Sequence, residues 1–111
     1  MMKRPNGVLN YVNGNTAMNQ PLKVGVVGDF DPNRPSHIAT NEALSHAARA
    51  LSLTLDCSWL PTQSLDDGGS EAMLKPFHAL WCAPASPYNS MNGALRAIRF
   101  ARERGWPFIG T

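Results

Sequence analysis

The sequence predicts an α/β fold, an open parallel sheet of the flavodoxin-like kind with helices between its strands. Two observations carry that prediction. Four short apolar runs, each bounded by Gly or Pro, alternate with segments whose apolar residues recur at helical spacing. The first run, Leu22 to Gly28 (LKVGVVG), is apolar almost without interruption, as expected for a strand buried on both faces. Alternation of this kind implies right-handed crossovers between parallel strands. Counted along the four runs, the natural strand order is 2-1-3-4.

Each element follows in turn. Residues 1–21, rich in Asn and Gly, read as a flexible N-terminal tail or as sequence upstream of the true start, with order beginning near Leu22. After the first strand a loop from Asp29 to Pro35 leads into a helix from about Ser36 to Leu51. Leu44, Ala47, Ala48 and Leu51 supply its apolar stripe, and Ser36 or Thr40 is its expected cap. Leu53 to Leu60 is the second strand, closed by Pro61. Residues 61–76 read as loop with one helical turn near Glu71 to Leu74, and Asp67-Gly68-Gly69 marks a turn. Phe77 to Ala83 is the third strand. A helix from about Asn89 to Arg104 follows, with Met91, Ala94, Leu95, Ile98 and Ala101 on one face and Gly105 as its C-terminal cap. Trp106 to Gly110 is the fourth strand. Its apolar sequence suits a strand covered on both sides, yet in this order it forms an uncovered edge, so residues 22–111 read as part of a domain.

Composition narrows the function classes. The chain has 111 residues, 43% hydrophobic and 16% charged, which fits a globular protein. No apolar run approaches the roughly 20 residues that span a bilayer, and Met1 to Gln20 lacks the apolar core of a signal peptide. A cytoplasmic protein without membrane association is the expectation. A net charge of +2 is too small to indicate nucleic acid as a partner. Arg96, Arg99, Arg102 and Arg104 sit toward a helix C-terminus, where cations oppose the helix dipole favourably. Cys57 and Cys82 form neither a disulfide framework nor a metal site, and both fall in strands where inert thiols are common. No cofactor or metal is expected.

Ligands of open parallel sheets sit beyond the carboxyl ends of the strands. Gly28 to Pro35, Pro84 to Asn89 and the turn after Thr111 reach that rim. Asp29 and Asp31 suggest an acidic receiver-like site only weakly, because the third strand ends in Ala83-Pro84-Ala85 without an aspartate. Structuring the turn beside Pro32 and Pro35 is the simpler role for them. Gly25-x-x-Gly28 lies within a strand and is not a dinucleotide fingerprint. His37, His46 and His78 are scattered and read as surface or structural residues. By contrast, Gly105-Trp106-Pro107-Phe108-Ile109-Gly110-Thr111 reads as a short strand entering a tight turn, the approach to a nucleophile elbow.

Three segments resemble the class I (triad) glutamine amidotransferase domain at the C-terminal end of CTP synthases. Lys23-Val24-Gly25-Val26-Val27-Gly28 is similar to that family's opening strand. Thr40-Asn41-Glu42-Ala43-Leu44-Ser45-His46-Ala47 is similar to its S-V-N-E-A-L-x-H-A helix. Gly93 to Arg104 followed by Pro107-Phe108-Ile109-Gly110 is similar to its G-K-x-x-A-I-R-Y-A-R-E-x-x-I-P-F-L-G-I, which runs into the catalytic Cys-x-G. The resemblance covers residues 22–111. It implies a thiolate on the elbow that attacks the amide of L-glutamine, a downstream His-Glu pair, and release of ammonia for pyrimidine nucleotide synthesis. A separate synthetase protein is an implied partner, since the family's ATP- and UTP-binding domain is not among these residues.

The resemblance also assigns site positions. Gly110 and Thr111 are the elbow's approach, and the nucleophile is expected next, so no catalytic residue lies within the 111. The oxyanion-hole loop, Pro-Gly-Gly-Phe-Gly in the family, reads Pro84-Ala85-Ser86-Pro87-Tyr88 here, with one residue fewer before Gly93. Ser86 stands where a glycine donates its N–H, and a side chain disfavours the positive φ that glycine reaches freely. Ala85 and Ser86 together with Thr111 resemble a group of standalone CTP synthase C-terminal region-related proteins that includes selenoproteins. That likeness implies a selenocysteine codon after Thr111, beside an expressed fragment or a frameshift as alternatives. A non-catalytic pseudo-amidotransferase and a selenol-dependent redox protein are the rival readings. For the 111-residue chain, no glutamine hydrolysis and poor solubility are expected.

Overall fold

In a computed structural model the residues described are Met2–Lys3, Leu9–Asn10, 21–84 and 88–111. The elements in chain order are β1 (Met2–Lys3), β2 (Leu9–Asn10), β3 (Leu22–Val27), α1 (Pro35–Ala50), β4 (Leu55–Leu60), a 3-10 turn (Thr62–Leu65), α2 (Ser70–Leu74), β5 (Ala79–Cys82), α3 (Met91–Arg104) and β6 (Phe108–Gly110). Strands β3 to β6 form an α/β fold with an open parallel sheet in the order β4-β3-β5-β6, the predicted 2-1-3-4. The register aligns the strand ends: Val27 lies opposite Leu60 and Cys82, and Cys82 opposite Gly110. The four strands therefore end at one level along the carboxyl edge. The predicted N-terminal tail lies mostly outside the described residues, and within it β1 and β2 pair antiparallel.

The crossover β3 to β4 runs one way along the sheet and β5 to β6 the other, so right-handedness puts α1 and α3 on opposite faces. The main core lies on the α3 face. Val27, Leu60, Leu80 and Cys82 of the sheet pack there against Leu65, Leu74, Phe77, Ala97 and Phe100. Leu65 and Leu74 are fully buried, and both come from short helical pieces in the stretch read mainly as loop. Such four- and five-residue turns lack a full apolar period, so only their tertiary contacts reveal them.

Helix α3 ends as predicted. Gly105 adopts φ 71°, and the Trp106 N–H returns to the Ala101 carbonyl. The Trp106 indole then packs on Phe100 at 4.8 Å and donates to the Phe77 carbonyl at 2.6 Å. The buried face, however, is rotated from the predicted one. Gly93, Ala94, Ala97, Phe100 and Ala101 face inward, whereas Met91 and Leu95 are half exposed. The cause is contact: α3 lies so close to the 3-10 turn that a Cβ on Gly93 would stand 1.9 Å from the Thr62 carbonyl oxygen. Only the glycine edge of the helix can approach.

Two expectations for α1 are corrected. Its N-terminal cap is Arg34, with no side-chain hydrogen bond; Pro35 begins the helix, and the Thr40 hydroxyl donates back to the Ser36 carbonyl instead. Its stripe of Leu44, Ala47, Ala48 and Leu51 is not buried, and Leu51 is 65% exposed. The residues buried on α1 are His37 and Thr40. Packing is concentrated at the helix start, where the His37 ring lies 4.7 Å from Trp59 and Asn41 accepts from the Trp59 indole at 2.8 Å.

The fourth strand shows the tension noted in its sequence. All three residues of β6 are exposed, Ile109 by 54%. An unpaired apolar edge of this kind is a template for association.

Substituting Gly93 with Ala forces α3 off the Thr62 carbonyl and is expected to cost at least about 2 kcal/mol in urea unfolding. Gly68→Ala, where an added Cβ meets nothing within 4 Å, is the neutral control.

Candidate functional site

The carboxyl edge is organised around Asp29, two residues past the end of β3. Its Oδ1 accepts the Thr62 N–H at 2.8 Å, and its Oδ2 accepts the Thr62 hydroxyl at 2.8 Å and the Asn89 N–H at 2.9 Å. One carboxylate thus joins the loops that leave β3, β4 and β5. Thr62 is fully buried and passes the chain onward: its hydroxyl oxygen accepts the Ser90 N–H at 2.8 Å. Ser90 then caps α3, accepting the Gly93 N–H at 3.0 Å while its hydroxyl donates to Asp66 at 2.9 Å. Asn92 also donates to Asp66.

Charge follows geometry here. Burial works to raise the Asp29 pKa, but the Asn89 and Thr62 N–H groups, the Thr62 hydroxyl and nearby His37 together hold it below its ordinary value. Hydrogen bonds from Asn92 and Ser90 likewise lower that of Asp66. Both groups are structural acceptors, which for Asp29 accords with the turn-forming role expected of it. Asp31 has the same character: its Oδ1 accepts the Asn33 N–H at 2.9 Å, and its carbonyl accepts the Arg34 N–H at 3.0 Å.

A polar pocket of about 310 Å³ opens beside this clasp, lined by Asp29, Phe30, Asp31, Arg34, His37, Tyr88 and Asn89. It lies between the loops leaving β3 and β5, neighbouring strands whose crossovers diverge. That is the crevice in which ligands of such sheets collect. The larger groove between α1 and β4, about 780 Å³, is lined by Leu44, Ala48, Leu53 and Leu55 among others and lies away from the carboxyl edge.

Of the site residues named from sequence, Gly110 ends β6 and Thr111 is held against β5. The Thr111 N–H donates to the Cys82 carbonyl at 3.3 Å, and its hydroxyl oxygen accepts the Trp81 indole N–H at 3.1 Å. Ala85 and Ser86 lie outside the described residues. The described residues resume at Tyr88, and both it and Asn89 are tied: the Tyr88 hydroxyl donates to the Ala83 carbonyl at 2.8 Å, and the Asn89 N–H donates to Asp29. The loop assigned to the oxyanion hole is therefore clasped at its base.

The histidines divide as structural and surface groups. His37 is buried and accepts the Asp31 N–H at 3.0 Å; His78 accepts the Lys23 N–H at 2.8 Å; His46 is exposed on α1. Burial pushes both thiols up to about 11, with the Asp56 charge adding to the effect at Cys57. Among the described residues no three His, Cys, Asp or Glu side chains gather to hold a metal ion, and no helix is long and apolar enough to cross a membrane. Sequence reading missed Thr62, Asn89 and Ser90. The available signal was a Ser-x-x-Gly start to α3 opposite a Pro-Thr strand exit, which carries meaning only once the strands are aligned.

No protein-family model matches the chain. Individual relatives do. The CTP synthase of Prochlorococcus marinus (strain MIT 9215) is 32% identical over 90 residues, which cover 81% of this chain and 17% of the relative. That of Thermosynechococcus vestitus (strain NIES-2133 / IAM M-273 / BP-1) is 32% identical over 91 residues, 82% of this chain and 17% of the relative. That of Campylobacter jejuni (strain RM1221) is 28% identical over 94 residues, 85% and 17% respectively. The chain is a distant homologue of part of CTP synthase. It spans about 17% of the length of these relatives, so the likeness concerns one segment of them.

Two predictions follow from the clasp and the thiols. Asp29→Asn is expected to lose about 1–3 kcal/mol at neutral pH by weakening three hydrogen bonds to a charged acceptor. Because the folded carboxyl titrates below the unfolded value of about 3.9, its contribution is complete above that pH and is lost as pH falls through the folded pKa. Urea titrations should accordingly show a shallower acid loss of stability in the variant. Cys57 and Cys82, with pKa values near 11, should react with an aromatic disulfide at pH 7.5 at least about tenfold more slowly when folded than in urea.

Proposed function

We propose that residues 22–111 are the opening half of a class I glutamine amidotransferase-like domain, supplying its sheet and the approach to its nucleophile elbow. The observation that carries this reading is the run from α3 into Phe108-Ile109-Gly110-Thr111. Its sequence resembles the stretch preceding the amidotransferase nucleophile, and it ends on the carboxyl edge beside β5. Identity to CTP synthases over four fifths of the chain supports the same reading.

In this proposal a nucleophile on the residue following Thr111 attacks the carboxamide carbon of glutamine, ammonia leaves, and water releases glutamate. A His-Glu pair from further along the polypeptide handles the protons, and the ammonia serves a synthetase. The high thiol pKa values agree with neither Cys57 nor Cys82 being that nucleophile. The exposed apolar edge at β6 agrees with further strands covering it.

One sequence observation favours a variant of this reading. Ala85-Ser86 replaces the Gly-Gly of the oxyanion loop, which suits a standalone relative with selenocysteine at the elbow, or a pseudo-enzyme that binds without turnover.

The test is the gene downstream of codon 111, followed by assay of its product. An open frame that opens with Cys-x-Gly, or with UGA followed by Gly-Gly, and later encodes His and Glu is expected. Ammonia release from glutamine is then expected from the long product and not from the 111-residue chain. A downstream frame without Cys or UGA at that position, or turnover by the 111 residues alone, contradicts the proposal.

A further inference from the structure

We propose that the pocket between the β3–α1 loop and Asn89 binds a small zwitterionic amino acid through Arg34, His37 and Asp31. This site lies between the loops leaving β3 and β5, one strand removed from β6 and the elbow at Thr111, and it does not depend on the amidotransferase reading. Three observations carry it.

His37 is only 3% exposed and lines the pocket. Its Nδ1 accepts the Asp31 N–H, so the neutral ring carries its proton on Nε2. That Nε2–H has no hydrogen-bond partner among the described residues, in a ring that lines the pocket. A buried donor left in this way points to a ligand acceptor.

Arg34 is half-buried in the same wall, and its guanidinium has no carboxylate within ion-pair distance among the described residues. It stands at the start of α1, a helix with no acidic residue in its first turn and no side-chain cap. Guanidinium, imidazole N–H and helix dipole all favour a carboxylate there.

The opposite wall selects against a simple anion. Asp31 uses one carboxylate oxygen on Asn33 and leaves the other, while the oxygens of Asp29 are occupied by three donors. A lone anion would face both carboxylates, and a lone cation would face Arg34. A molecule with a carboxylate and an ammonium a few ångströms apart satisfies each. The exposed ring of Phe30 gives an apolar rim for a side chain.

The full 111-residue chain can be titrated with glycine, L-glutamine, acetate and methylamine. The readouts are the His37 ring resonances by NMR and the fluorescence of Trp59, whose ring lies 4.7 Å from that of His37. Saturable millimolar shifts with glycine and L-glutamine are expected, with acetate and methylamine at least about tenfold weaker. Arg34→Gln keeps the backbone cap and Asp31→Asn keeps the Asn33 contact, and circular dichroism reports that both fold. Each should weaken glycine binding about tenfold or more. Equal response to acetate and glycine, no saturable response, or unchanged binding in both variants overturns the proposal. Because none of these readouts involves the elbow, the outcome is independent of the downstream gene sequence.

Discussion

The architecture of the carboxyl edge depends on the Asp29 carboxylate. In an open parallel sheet the strands are held by their ladders, but the loops that leave them have no shared scaffold. Here three of those loops converge on two oxygen atoms, and Thr62 extends the chain of bonds to the cap of α3. The acceptor is charged and its partners are backbone N–H groups and a buried hydroxyl. Such bonds are stronger than neutral ones and costly to leave unmade. The clasp thus fixes where α3 begins, which loops border the polar pocket, and how the base of the 84–88 loop is held.

A steric constraint works with this electrostatic one. Gly93 lets α3 settle onto the Thr62 carbonyl, and that approach determines which helix face is buried. Ala94, Ala97 and Ala101 continue the small-residue side, so the helix sits low over β5 and closes the core with Phe100. The opposite face of the sheet is built differently. Helix α1 is anchored at its first turns through His37 and Asn41 on Trp59, while its later turns leave a groove over β4. One face is a packed core; the other is a polar and aromatic anchor beside a pocket.

Much of this was legible in the chain. The apolar runs between Gly and Pro boundaries marked all four parallel strands, and their order followed from the flavodoxin-like pattern of alternating strands and helices. Gly105 gave the end of α3 through the one conformation it favours. The relation to CTP synthase was legible by resemblance, and distant identity to CTP synthases over four fifths of the chain agrees with it. What escaped is what depends on alignment between distant segments. The stripe at Met91 and Leu95 looked as buried as that at Ala97 until the contact with Thr62 rotated the helix. The cap of α1 was misplaced because Ser36 and Thr40 are good capping types, whereas Pro35 starts the helix and Arg34 holds the position. Asp29 was legible as a turn former, but not as the acceptor for Thr62 and Asn89, which lie 33 and 60 residues away.

The central claim is that the Asp29 clasp, and not the loops themselves, orders the carboxyl edge. Amide hydrogen exchange at Thr62 and Asn89 measures this most directly. The Thr62 N–H opens the 3-10 turn and the Asn89 N–H lies in a loop, so neither belongs to a strand ladder or an intrahelical bond. Amides of that kind ordinarily exchange through local opening of low free energy. The clasp predicts that both exchange nearly as slowly as the Val27 amide in the buried centre of β3. Exchange at Thr62 and Asn89 as fast as at exposed loop amides such as Gly68 would contradict it.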